Sequence, residues 1–340
     1  MSSALESNAW FEATVFGFLW RQFTRPKPLP ANIHLRDQVA IVTGSNVGLG
    51  LAASRQLLGL GLSHLVIAVR SPAKGDEAAG LLRKEFPDST ISVWTIDLES
   101  YESVRAFAKQ CATLPRIDIV ILNAGLAKPS YATVPETGYE VTLQVNYLST
   151  ALLAILLLPI LRAKKLSNAP RPPVLTIVGS DMMYQADIET KGPVLRQFNR
   201  PQAFSQFPWY SKSKLLLTFF VSKLAEFVSP DDVLVNMANP GMASGTAFFR
   251  ESSSIAMKMV GFAQFLFARG VDVAATTYVD AALAYGKESH GSFTSDWAIK
   301  PYPKLWYTPE GRELVERLWE ETMEELNFAG ASKLIESLKS

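Results

Sequence analysis

Cysteine is almost missing from this chain, with one residue, Cys111, in 340. A single thiol excludes an internal disulfide and any thiolate zinc cluster. Cys111 falls in "VRAFAKQCATL", a helical pattern, where it reads as a small buried hydrophobe in preference to a reactive thiol. Histidine is nearly as scarce, at three residues. His34 lies in a linker, His64 precedes an apolar run and His290 sits in the turn "ESHGS". No Gly-x-Ser-x-Gly elbow accompanies them and no His/Asp/Glu group has metal spacing, so triad hydrolysis and metal catalysis have no support. An excess of one charge is lacking too. The 33 basic and 32 acidic side chains leave a formal charge of +1, with no basic stripe to hold a nucleic acid.

Long hydrophobic runs are also absent. "AWFEATVFGFLW" (9 to 20) carries a glutamate and covers about half of the ~20 residues a bilayer-crossing helix needs. It has neither the basic start nor the small-residue cleavage site of a secretory signal. "ALLAILLLPIL" (151 to 161) is equally short and is interrupted by Pro159. Neither spans a membrane alone. Residues 9–20 are read either as a helix laid over the main domain or as an interfacial anchor. The expected location is cytoplasmic, with peripheral membrane contact through that segment.

What the chain does have is regular alternation. Hydrophobic residues make up 48% and charged ones 19%, a globular composition. After the proline-rich "RPKPLPANIHLRD", the apolar runs "QVAIVTG", "HLVIAVR", "ISVWTIDL" and "IDIVILNAG" alternate with helical patterns of 10 to 15 residues. A long apolar helix is expected from about 137 to 163, and "PVLTIVGS" and "DVLVNMANPG" complete six strands. Strands apolar throughout and separated by helices predict a parallel sheet covered on both faces. The fold class is therefore α/β, a single Rossmann-type doubly wound sheet binding ligands beyond the carboxyl ends of its strands. The expected divisions are a helix and linker over 1–35, a catalytic domain over 36–300 and a helical extension over 301–340. Two stretches break the alternation, an insertion at 181–208 and an apolar segment at 245–268. Both leave strand carboxyl ends and read as substrate cover, the second equally well as a packing helix.

"TGSNVGLG" places Thr43, Gly44, Gly48 and Gly50 between the first strand and first helix. Missing side chains allow a sharp turn and let a pyrophosphate approach the backbone, while the helix start offers unpaired N–H groups. The second strand ends in Val69 and Arg70 with no acid to grip ribose hydroxyls. A guanidinium suits the extra 2′-phosphate of NADP, with Lys74 and the Ser45 hydroxyl adding to that pocket. The alternative is a plain surface arginine.

"WYSKSK" sets Tyr210 and Lys214 four positions apart, on one helix face at about 5–6 Å. A phenol with an ordinary pKa of ~10 is made more acidic by a nearby ammonium. Such a tyrosine can exchange a proton with a developing alkoxide, the partner step of hydride transfer at a carbonyl.

The motifs together resemble the short-chain dehydrogenase/reductase family, from about residue 36 to 300, and its retinol-dehydrogenase-like and fungal biosynthetic branches in the long gap before Tyr210, the N-terminal extension and the C-terminal helix. "TGSNVGLG" fits the family's cofactor turn, implying contacts from Gly44, Ser45, Asn46, Gly48, Leu49 and Gly50. The resemblance puts Asp97 of "IDL" against the adenine and has Asn123, Ala124 and Gly125 of "LNAG" steady the sheet and meet the cofactor. It makes Tyr210 the general acid or base, Lys214 its partner and a ribose ligand, Ser180 the group orienting the carbonyl, and Asn146 the holder of a relay water. Pro240 and Gly241 of "NPG" would lie beside the nicotinamide. Thr246 stands one place later than the family's threonine, so either it or Ser244 would bind the carboxamide.

The resulting expectation is an NADP-dependent oxidoreductase acting on a ketone, an aldehyde or the matching alcohol. Phe204, Phe207, Trp209, Met182, Met183 and the apolar segment near 255–268 read equally well as core or as the wall of a lipophilic substrate site, the substrate being by family analogy a polyketide, terpenoid or other secondary metabolite. A redox-neutral enzyme on the same scaffold, or a regulatory protein that binds NADP(H) without turnover, are the alternatives. A homodimer through the helices starting near 137 and 209 is a further expectation of the resemblance.

Overall fold

The computed structural model describes residues 1–167, 169, 171–244 and 267–339. Six strands form where the alternation predicts them: β1 (Val39–Thr43), β2 (His64–Val69), β3 (Thr90–Thr95), β4 (Ile119–Leu122), β5 (Val174–Val178) and β6 (Leu234–Asn239). Two further short strands, β7 (Phe293–Ser295) and β8 (Ala298–Lys300), extend the sheet. The order is β3-β2-β1-β4-β5-β6-β7-β8, parallel except for the antiparallel β7–β8 pair. The central strands β1, β4, β5 and β6 are buried at every position. Helices on both faces demand this, and it is why these strands read as continuous apolar runs. The chain winds outward from β1 to β3 and then returns to the other side of β1 at β4. That reversal opens a crevice at the carboxyl ends of β1 and β4.

β7 and β8 escape sequence reading because their turn breaks the usual rule. Two-residue hairpin turns with positive φ at both positions normally use Asn-Gly or Asp-Gly. Here Asp296 (φ 45°) and Trp297 (φ 57°) take that role. Tertiary contacts hold them there. The Trp297 ring is fully buried, its Nε1 donates to Thr276 Oγ1 at 3.0 Å, and the Arg269 guanidinium lies over it at 4.8 Å.

The helices after β1, β2 and β3 are α3 (Gly48–Gly59), α4 (Pro72–Glu85) and α5 (Tyr101–Cys111). Cys111 is buried in the core, and burial pushes its thiol up to about 12, which removes thiolate chemistry near neutrality. The long helix begins as α6 (Val141–Leu143), passes through a π turn (Gln144–Leu148) and continues as α7 (Ser149–Lys164). By length and apolarity this helix could cross a membrane, yet 94% of its most apolar window is buried within the protein. It is a core helix.

Helix α8 (Gln206–Leu224) precedes β6, and α9 (Val271–Leu283) covers the opposite face of the sheet. Helices α10 (Pro309–Glu325) and α11 (Ala331–Leu338) close the chain. They pack on α8 and α7 respectively. Trp319 of α10 stacks on Phe227 with centroids 4.8 Å apart, and Thr322 meets the buried Tyr147 hydroxyl at 2.6 Å. The helix faces expected to meet a second subunit are therefore covered by this chain's own C-terminal helices. The 181–208 insertion is fastened to the same layer. Backbone N–H groups of Val194 and Leu195 donate to the Glu321 carboxylate at 2.7–3.0 Å.

The N-terminal apolar segment forms two helices where one is expected, α1 (Glu6–Glu12) and α2 (Val15–Phe23). Thr14 makes the break. It is extended, and its hydroxyl caps α2 by accepting from the Gly17 N–H at 3.0 Å. Gly17 allows the close crossing, since a Cβ there would collide with the Phe11 carbonyl oxygen.

Candidate active site

At the end of β1, Gly44 (φ +67°) and Gly48 (φ +58°) make the turn that the glycine spacing predicts. A Cβ on Gly50 would stand 2.6 Å from both Asn123 Nδ2 and the Gly44 carbonyl oxygen, so only glycine lets α3 sit this close to the strand ends. Asn123 fixes the turn from β4, donating to the carbonyls of Thr43 (2.8 Å) and Gly44 (3.2 Å). Thr43 Oγ1 in turn accepts from the Ala124 N–H at 3.0 Å. Helix α3 opens without a side-chain cap, so no side chain competes for its first N–H groups. A pyrophosphate fits this cradle by the chemistry of its donors.

A cavity of about 230 Å³ continues from the turn, walled by Gly44, Asn46, Arg70, Ser71, Lys74 and Asp97 among others. Its acidic and basic rim differs from expectation in two ways. The Ser45 hydroxyl cannot join a phosphate pocket, because it is fully buried and donates to the Val42 carbonyl at 2.7 Å. Ser71, which sequence reasoning missed, takes a place in the wall. Arg70 is 61% exposed and paired with Glu99 at 2.8 Å. An exposed pair of this kind holds weakly and leaves the guanidinium available to a stronger anion.

A second cavity, of about 600 Å³, shares Gly44, Asn46, Val47, Ala124 and Gly125 with the first, so the two form one cleft. Ser180, Tyr210, Lys214, Leu49, Pro240 and Gly241 all line it. β5 delivers Ser180 just past its carboxyl end, and Ser180 Oγ accepts from the Met182 N–H at 3.2 Å. Helix α8 presents Tyr210 and Lys214 on one face, with the Lys214 Nζ 5.7 Å from the centre of the phenol ring. That Nζ donates to the Val178 carbonyl at 2.8 Å. Asn146 sits in the π turn, clamped by both the N–H and the carbonyl of Leu126 (2.9 and 2.8 Å) and by Ser213 at 3.1 Å. A Cβ on Gly125 would meet Asn146 Oδ1 at 3.1 Å and Lys214 Nζ at 3.7 Å. Glycine there keeps the space between these two groups open.

Burial dominates the electrostatics. It raises the Tyr210 phenol above its ordinary value; the hydrogen bond with Ser180 opposes this and the Asp181 charge adds to it. Burial pushes the Lys214 ammonium down to about 8. The sequence expectation was the reverse for the tyrosine. The difference arises because burial of the phenol at the cavity wall outweighs any help from the neighbouring ammonium, whose Nζ donates its hydrogen bond to the Val178 carbonyl. A phenol in this state is fully protonated at neutral pH.

The apolar wall is only partly the expected one. Met182 and Phe207 line the cavity. Met183 is in the core under Thr218, and Phe204 and Trp209 pack against each other at 5.5 Å and do not line the cavity. Ser244 also turns away, since both its N–H and its hydroxyl go to the Arg269 carbonyl (2.9 and 3.1 Å). Thr246, nearly all of the 245–268 cover segment and the apolar residues near 255–266 lie outside the described residues. Phe18, Asp181, Met242 and Tyr278 also line the cavity and were not anticipated. No local pattern marks them, because they arrive from four separate parts of the chain.

The short chain dehydrogenase virL of Hypocrea virens is 67% identical over 339 residues, covering 100% of this chain and 99% of the relative. The chain belongs to the short-chain dehydrogenase/reductase family. A family model described as short chain dehydrogenase matches residues 38–168, from β1 to just past α7. The family member mfmJ of Annulohypoxylon moriforme is 46% identical over 328 residues, with 95% of this chain and 94% of that one covered. Among solved structures, the NADPH-dependent 3-quinuclidinone reductase of Rhodotorula rubra superimposes with a TM-score of 0.59 at 21% identity, over 80% of this chain and 96% of that one. At that identity it speaks for the short-chain dehydrogenase fold alone.

Proposed function

We propose that this short-chain dehydrogenase is an NADP-dependent oxidoreductase that reduces a ketone or aldehyde of a lipophilic metabolite, or oxidises the matching alcohol, in secondary-metabolite biosynthesis. The observation that carries this reading is the single cleft in which a glycine cradle meets a mostly apolar cavity holding Ser180, Tyr210 and Lys214 on one wall. NADP is preferred because Arg70 and Lys74 rim the outer cavity and no carboxylate ends β2.

When bound, the nicotinamide supplies or accepts the hydride. The residues do the rest. In reduction, the Ser180 hydroxyl donates to the carbonyl oxygen and polarises it. Tyr210, held protonated by burial, gives its phenolic proton to that oxygen as the carbon is reduced. The phenolate left behind is stabilised by the Lys214 ammonium, and Asn146, across the gap kept by Gly125, orders the path by which a proton returns. Oxidation runs these steps backward. NADPH absorbance with a panel of lipophilic ketones tests the reading: cofactor must be consumed in proportion to alcohol formed. Product without consumption would overturn it in favour of a redox-neutral enzyme.

We also propose that α1 and α2 touch a lipid surface. Trp10, Phe16, Trp20 and Phe23 are exposed, at 78% for Phe16, and the exposed Arg25 and Lys27 follow directly to meet anionic headgroups.

A further inference from the structure

Helix α2 is inside out. Phe16, Trp20 and Phe23 face outward while Arg21 and Gln22, each 4% exposed, point into the protein. Burying such groups is costly unless each finds partners, so their partners show what the helix is built to hold. Gln22 Nε2 donates to the Met242 carbonyl at 2.8 Å, and the Met242 N–H donates back to Gln22 Oε1 at 3.0 Å. This two-point pairing is what a neighbouring strand would provide. It grips the chain just after Pro240 and Gly241, on the wall of the larger cavity. The grip is tight: a Cβ on Gly241 would lie 2.9 Å from Gln22 Oε1. Arg21 binds Glu12 and reaches the Asp181 carboxylate at 3.3 Å, next to Ser180. Arg269 closes the back, donating to the Arg21 and Gln22 carbonyls. One turn before these residues, Phe18 enters the cavity wall.

We propose that helix α2 is a wall of the substrate site, with Phe18 setting which ketones fit and Gln22 acting as a positioning residue through the Met242 backbone. The proposal rests on the oxidoreductase reading and adds a substrate class. The ligands it favours carry an extended apolar body reaching from the reacting oxygen to the Phe18 ring. A ligand too short to reach that ring gains nothing from it.

The test uses the full chain and a series of methyl ketones of increasing alkyl length. Their dissociation constants are measured in the NADPH complex of a Tyr210→Phe background, so that no turnover is required. Phe18→Ala should weaken the longest ketones by about tenfold, the loss expected for one ring contact, and leave the shortest unchanged. Phe18→Trp should move the optimum to shorter ketones. Gln22→Met, of similar shape but without the paired bonds, should raise KM for all ketones about tenfold in the otherwise wild-type enzyme. Its kcat and its NADPH dissociation constant should stay within about twofold. A merely structural glutamine would lower thermal stability and leave KM alone. Identical length profiles for wild type and both Phe18 variants, including no binding by any, would overturn the proposal. Length-dependent binding with no NADPH-linked turnover by wild type would instead sink the oxidoreductase reading and leave the wall standing.

Discussion

The two ends of the cleft are made in different ways. The nucleotide end is built from backbone: Gly44 and Gly48 turn it, Gly50 lets α3 approach, and Asn123 ties it to β4. The larger cavity at the other end is built from side chains brought together across the chain, Phe18 from α2, Met182 after β5, Phe207 from α8 and Tyr278 from α9. A backbone site tolerates little change and binds what any member of the fold could bind. A side-chain site can be altered residue by residue, and selectivity belongs there.

Changes on the reacting wall should separate the two ends most sharply. Tyr210→Phe removes the proton donor and should lower kcat about 10³-fold while NADPH fluorescence titration stays within twofold of wild type. Unchanged turnover would remove the tyrosine from the chemistry. Next comes Arg21→Met, which leaves Glu12 with Lys300 alone and strips Asp181 of its ion pair. Loss of one buried partner costs about 3 kcal/mol, visible as a drop of several degrees in the unfolding midpoint. A midpoint unmoved by this change would mean that the helix pair is only loosely attached.

At the nucleotide end, Arg70→Asp should shift the ratio of NADPH to NADH efficiency by about 100-fold toward NADH, the worth of one charge-assisted phosphate contact. Equal use of both cofactors by wild type would end the claim of NADP preference. A smaller effect follows from Lys214. Its pKa is depressed to about 8, so it is charged below that pH and neutral above it. Reduction should therefore weaken about tenfold per unit as pH rises past that point. The stability sign is opposite: the unfolded chain binds the extra proton above about 8, so this burden on the fold is relieved as pH rises. A flat profile between pH 7 and 9 would contradict the assignment. The smallest effect concerns the outer face of α2. Trp10→Ser with Trp20→Ser should cut co-sedimentation with phosphatidylserine vesicles a few-fold without changing kcat.

Much of this was legible in advance, for reasons that differ by element. The central strands were readable because burial on both faces makes them largely apolar, the edge strand β3 because it falls in the helix–strand alternation, and Gly44, Gly48 and Gly50 because turn and close approach demand them. Tyr210 and Lys214 could be paired because helix geometry fixes neighbours four residues apart. Ser45 was misjudged because a sequence cannot say whether a hydroxyl faces the cleft or its own strand. The Phe204 and Trp209 rings read equally as pocket or as core and belong to the core, since aromatic residues look alike in both. The β7–β8 hairpin was invisible because Trp297 is held at positive φ by Thr276 and Arg269, from outside its own turn.

Sequence alone, then, determined the doubly wound sheet, its glycine turn and the placing of Tyr210 and Lys214 on one helix face, since each follows from rules acting over a few consecutive residues. Tertiary structure decided the rest: that the outer α7 and α8 faces are covered by α10 and α11, that burial keeps the phenol protonated, and that an N-terminal helix turns its polar side inward to meet Asp181 and Met242. Those outcomes depend on pairs such as Arg21 with Asp181 and Gln22 with Met242, far apart along the chain and adjacent only once the core has closed.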